Sequence, residues 1–242
     1  MLGLLVLLLI SWGLLYLFEE KNLNALGLIP SKDRLLQFGL GLIILVLSCL
    51  ILIGIETAVQ SVQWESTEFD FKTFVQALYY HWRSALTEDL VFRGALLYIL
   101  LTRLGSQWAL WISAVCFGVY HVFSYGILED RWILIAYVIV ITGLTGYVWA
   151  YAFSKTRSMY LGLGFHMGYN LLMACFYEAQ PYGELLFSEV SKQELLDPLA
   201  SFYSIFRGLV PTVLTLISLR LLFWIGLFTP TKIRDPSYEF DE

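Results

Sequence analysis

The chain has 242 residues, of which 58% are hydrophobic and 14% charged, and its mean hydropathy is +0.70. A soluble globular domain carries roughly one quarter charged residues, so the composition excludes that class and points to an integral membrane protein. The net charge of -5 comes without any basic cluster, which excludes nucleic acid as a partner.

Taken in chain order, the apolar runs predict about seven membrane spans of roughly 20 residues each. Residues 1–18, "MLGLLVLLLISWGLLYLF", form the first; they lack a basic start and a small-residue cleavage site, so a removable signal peptide is not expected. The second covers 35–58, a long third 72–101, the fourth 107–123, the fifth 132–153, the sixth 159–178 and the seventh 205–228. Breaks fall at "GLIPSKDR", "RLGSQ", "SYGILEDR", "SKTRS" and the polar stretch 179–199. In that last connection Ser191 and Glu194 have capping-box spacing, which predicts a short interfacial helix. The fold class is therefore all-α: a polytopic transmembrane bundle forming one domain over 1–228, with an acidic tail at 229–242. Cys49, Cys116 and Cys175 lie in apolar segments and read as small hydrophobes.

Basic residues predict the orientation. Lys21, Lys32, Arg34, Arg103, Lys155, Arg157, Lys232 and Arg234 fall in alternate connections and the tail. Only Lys72, Arg131 and Lys192 fall in connections on the other side. This asymmetry puts the N-terminus outside and the C-terminus, with its acidic tail, in the cytoplasm. A multi-pass protein of the cell membrane is the expected location.

Ionisable residues inside spans are costly, so each is a functional candidate. The set is small: His81, Arg83, Glu88, Asp89, Arg93, His121 and His166, with Arg207 and Arg220 near it and Asn170 as an uncharged member. Glu56, near the outer end of the second span, reads as solvated, and Arg220 as snorkelling to the cytoplasmic face. Asp89 and Arg93, four apart, share a helix face and can pair, which makes a structural role the favoured one for Arg93. Glu88 lies roughly 140° around the helix from Arg93 and is free to face a cavity. His166 and Asn170 share a face, as do Phe117 and His121. At about 1.5 Å per residue, Glu88 and His121 lie roughly 20 Å from the inner ends of their spans, and His166 and Asn170 about 12 and 18 Å along theirs. Three helices thus carry polar groups at compatible depths. His81 lies two turns before Glu88 but near the outer boundary, where an interfacial or structural role is expected.

The opening residues of "EDLVFRG", Glu88 to Gly94, resemble the E-E-x-x-F-R-G signature of the CPBP family, the type II CAAX prenyl proteases and bacteriocin-processing (Abi) proteins. "FGVYH" resembles the family's second motif, F-x-x-x-H, and "HMGYN" its third, H-x-x-x-N/D. One departure is Asp89, where the family usually has a second glutamate. The resemblance identifies a motif core over about 72–178 and implies an intramembrane endopeptidase of glutamic type. It implies catalytic roles for Glu88, His121, His166 and Asn170, with Glu88 and His121 activating water and the other two holding the oxyanion. Asp89, Arg93 and Phe117 would support them. A carboxylate in a dry pocket suits a general base, and donors placed for a developing oxyanion complete the chemistry.

The implied substrate is a membrane protein or lipidated peptide presented in the lipid bilayer, and no cofactor is expected. Two other readings use the same residues. In one, Glu88, His121 and His166 hold a zinc ion as a His-His-Glu set with an open position. In the other, they form a proton relay or ligand site in a transporter without enzymatic activity.

Overall fold

Long apolar runs in lipid must satisfy every backbone polar group within the segment, and the α-helix is the local way to do so. The computed structural model describes residues 2–228; the acidic tail at 229–242 lies outside the described residues. Helix α1 spans Leu2–Glu19 and is followed by a short 3₁₀ turn, Leu23–Leu26, and by α2, Lys32–Gln60. After strand β1, Gln63–Ser66, come α3, Phe71–Phe92, and α4, Ala95–Ser124. Helices α5, Trp132–Thr156, and α6, Tyr160–Phe176, precede strand β2, Phe187–Ser191, and α7, Leu199–Trp224. Among these, α1, α2, α5 and α7 are long and apolar enough to cross a membrane. Their outward faces expose large apolar side chains such as Leu9, Leu47, Ile133 and Ile217, as a lipid-facing surface would.

The core is organised around α6, in which every residue from Leu161 to Gly168 is buried. Helix α2 reaches it closely because glycines line the seam. A Cβ on Gly164 would collide with the Phe38 carbonyl, and one on Gly168 would come 2.7 Å from the Leu42 carbonyl. Small residues allow backbones to approach in this way when lipid provides no hydrophobic drive between helices. The α4–α5 seam uses the same device, with Gly143 against the Ala114 carbonyl and Gly118 against the Ile139 carbonyl.

Three expectations from the sequence are corrected. The third span does not run unbroken over 72–101. Helix α3 ends at Phe92, and a new helix starts at Ala95. At Gly94 a Cβ would strike the Leu90 carbonyl, so only glycine permits the chain to turn there. Ser113 Oγ of α4 donates to the Phe92 carbonyl at 2.9 Å and so satisfies an acceptor exposed by the break. A kink at Gly105, with φ of 74°, then separates the start of α4 from its second half.

The interfacial helix expected at Ser191–Glu194 is also not formed. Ser191 instead pairs with Gln63 in an antiparallel sheet, in which Trp64 faces Glu189 and Ser66 faces Phe187. Backbone hydrogen bonds across the strands outcompete a single local cap. Trp64 Nε1 ties the sheet to α2 through Thr57 Oγ1 at 2.8 Å. The all-α reading holds for the helical bulk and misses this two-stranded strap.

Third, Glu56 is not solvated. It is 2% exposed and is engaged by Tyr177 and Arg207 from α6 and α7. Arg220 is exposed.

A Gly168→Val substitution should force the α2–α6 seam apart and cost about 1–3 kcal/mol or more. Thermal melting and size-exclusion profiles of detergent-solubilised protein check this. Gly39→Val, where a Cβ meets nothing within 4 Å, should be tolerated by comparison.

Candidate active site

Asp70 caps α3 by accepting from the Lys72 and Thr73 backbone N–H groups at 3.2 and 3.0 Å. Hydrogen bonds from Thr73, side chain first, hold its carboxyl below the usual carboxylate range. This cap fixes where α3 starts, and the Gly94 turn fixes where it stops. Between them the helix delivers Glu88 and Asp89 to the buried flank of α6.

The two acids meet one histidine. Glu88 Oε2 lies 3.7 Å from His166 Nε2, and Asp89 Oδ1 lies 3.4 Å from His166 Nδ1. Each imidazole nitrogen therefore faces a carboxylate, and both can donate at once only as imidazolium. Ser84, one turn back along α3, donates to Glu88 Oε1 at 3.2 Å and orients the second oxygen toward His166. The indole of Trp149 from α5 packs on the same ring, centroid to centroid 4.6 Å.

Asp89 has a second partner. Arg93 Nη1 sits 3.1 Å from the same Oδ1, forming the expected one-turn ion pair. Both side chains are 3% exposed. The contact is close, but its angles are not those of a hydrogen bond, and the guanidinium nitrogens have no hydrogen-bonding protein partner. Aromatic faces take their place: the Arg93 guanidinium carbon lies 3.8 Å from the Phe117 ring centroid and 5.1 Å from that of Trp149. Desolvated cation–π contacts of this kind are worth about 2 kcal/mol or more. Phe117, which shares a helix face with His121, thus also covers the buried cation.

His121 is placed by its own helix. Its Nδ1 is 2.8 Å from the Phe117 carbonyl, which as an acceptor requires Nδ1–H and leaves Nε2 as the free lone pair. Tyr120, Tyr125 and Phe117 surround the ring. His121, His166 and Asn170 line one cavity of about 650 Å³. Glu88 is not a lining residue itself and adjoins this cavity through His166. The sequence-predicted set is thus brought together, with Glu88 one step back. His81 does not line the cavity: it is 2% exposed, with Nε2 3.2 Å from the Pro181 carbonyl.

Sequence reasoning missed Ser84 and Trp149. Ser84 could have been found, since it precedes Glu88 by one turn. Trp149 carried no signal that separated it from belt aromatics. Among the described residues, no group of three His, Cys, Asp or Glu side chains is arranged to hold a metal ion. The Glu88, His121 and His166 side chains are thus not arranged as a zinc set in this structure.

Two imidazoles and an amide on a cavity inside an apolar helix bundle, with a carboxylate behind one imidazole, are groups suited to hydrolysis. Residues 70–172 match the family model of type II CAAX prenyl endopeptidase Rce1-like proteins, a stretch running from the α3 cap to just past Asn170. The match covers less than half of the chain; over that stretch the chain is similar to CAAX-type endopeptidases, which indicates a membrane-embedded protease hydrolase. No curated protein and no solved structure gives a match.

Arg93→Ala should strip the buried Asp89 of its cation, costing about 3–5 kcal/mol. Membrane abundance and detergent stability should fall together with activity. Normal abundance with loss of activity alone would instead assign Arg93 a role on substrate.

Proposed function

We propose that the protein is a glutamic-type intramembrane endopeptidase that cleaves a membrane-tethered or membrane-inserted protein or peptide. All seven helices are read as lying in the bilayer of the cell membrane, with the N-terminus outside and the C-terminus in the cytoplasm. The observation that carries the mechanism is the contact of Glu88 with His166 beside a cavity that His121 and Asn170 also line.

In the proposed reaction Glu88, helped by the free Nε2 of His121, takes a proton from a water molecule that attacks the scissile carbonyl. The carbonyl π electrons move to oxygen, and His166 and Asn170 donate hydrogen bonds to the resulting oxyanion. Collapse of the tetrahedral adduct expels the amine, which takes the proton back from Glu88. Asp89 serves as the anchor of His166: it accepts from Nδ1–H, and the doubly protonated ring, flanked by Asp89 and Glu88, carries Nε2–H as the donor for the oxyanion. Its shorter reach than the family's glutamate suits this inward role.

Glu88→Gln should abolish turnover in purified protein while leaving folding and substrate binding largely intact. Asn170→Ala should be milder, since one lost oxyanion donor costs about 10²–10³ in rate. A strong chelator should have little effect. Chelator sensitivity rescued by zinc would move the assignment to the metal reading, and a Glu88→Gln protein that still cleaves would remove both. A purified protein that hydrolyses no peptide in detergent would favour the transporter reading.

A further inference from the structure

We propose that Arg207 receives a carboxylate of the substrate, three to five residues beyond the scissile bond. The inference rests on reading the cavity as the protease site. Glu56, Tyr177 and Arg207 line the same cavity as His121, His166 and Asn170. They come from α2, the end of α6 and α7, and none of them has a part in the hydrolytic step.

The guanidinium of Arg207 is held from two sides. Its Nε lies 3.5 Å from Glu56 Oε2, and its central carbon lies 4.9 Å from the Tyr177 ring centroid. The Tyr177 hydroxyl donates to the same Glu56 oxygen, so carboxylate, phenol and guanidinium form one cluster. Exposure is divided unevenly: the Glu56 side chain is 3% exposed and that of Arg207 42%. Glu56 is therefore a buried orienter, and Arg207 is a half-exposed wall residue. The closest approach to Glu56 is at the Nε edge, so the half-exposed guanidinium can turn further donors to a ligand, and two parallel donors match a carboxylate. The other cation on the wall, Lys192, is paired with Glu189 at 2.9 Å. Glu178 and Glu184 also line the cavity, and Glu178 is exposed, where water screens it. Arg207 is thus the wall group best prepared to take an anion.

The position sets the register. Along α6, Tyr177 lies about 10 Å beyond Asn170 and about 16 Å beyond His166 at 1.5 Å per residue. An extended peptide covers roughly 3.3 Å per residue, so three to five residues bridge the proposed oxyanion donors and the Arg207 cluster. A substrate cut near its C-terminus would place its free α-carboxylate there. An acidic side chain at the same distance offers the same chemistry.

The test measures binding of a fluorescent prenylated CAAX peptide to detergent-solubilised Glu88→Gln protein, which should not consume the probe. Three forms are compared: the free acid, the C-terminal amide, and an amide ending in glutamate. The free acid should bind about tenfold or more tighter than the plain amide, as expected for loss of a charge-assisted contact. An amide rescued by its terminal glutamate would assign the site to a side-chain carboxylate. Arg207→Gln combined with Glu56→Gln removes both charges, so no buried ion is orphaned, and it should bring acid and amide to equal affinity. Arg207→Lys should retain part of the preference. Equal binding of acid and amide to the Glu88→Gln protein, or a preference that survives the double variant, overturns the proposal. Neither result touches the protease reading, which stands or falls on whether Glu88→Gln stops cleavage.

Discussion

Asp89 Oδ1 lies 3.1 Å from a guanidinium nitrogen and 3.4 Å from an imidazole nitrogen, all within a nearly water-free interior. An unpaired charge in such a place costs several kcal/mol, so the carboxylate, Arg93 and His166 hold one another in place. The consequence reaches well beyond the pair. Arg93 presses on Phe117 of α4 and faces Trp149 of α5, while Trp149 packs on His166 of α6. Three further helices, α4, α5 and α6, are thereby tied to a single acid on α3.

Helix seams supply the matching constraint from outside. His166 sits between Gly164 and Gly168, whose missing side chains let α2 close on one face of α6. The opposite face is thereby held toward α3 and the cavity. The α4–α5 seam at Gly118 and Gly143 does the same for the turn bearing Phe117 and His121. Rigid scaffolding of this kind allows a histidine to be set between two carboxylates without room to rotate away.

Much of this was legible in the sequence because lipid imposes simple rules. The long apolar helices α1, α2, α5 and α7 could be read from hydropathy, and the spacing of Asp89 with Arg93 and of His166 with Asn170 translated into an ion pair and a shared cavity wall. The break after Phe92 was hidden, because "LVFRGALLYILL" stays apolar on both sides of Arg93 and hydropathy does not register a turn. At Ser191 a local capping pattern competed with strand pairing to a segment far away in sequence, and the distant partner won. Glu56 was misread for the same reason. Its depth suggested water, while the groups that bury it, Tyr177 and Arg207, belong to helices whose rotation no spacing rule reveals. Ser84 and Trp149 supplement the site at a level that only side-chain packing discloses.

The most direct test of the proposed site is an experimental structure of the Glu88→Gln protein with an uncleaved substrate peptide bound. The account predicts the scissile carbonyl oxygen within hydrogen-bonding distance of His166 and Asn170, and an ordered water between residue 88, His121 and the carbonyl carbon. A peptide seated elsewhere, or a His166 ring turned away from the cavity while Asp89 and Arg93 remain paired, would contradict it.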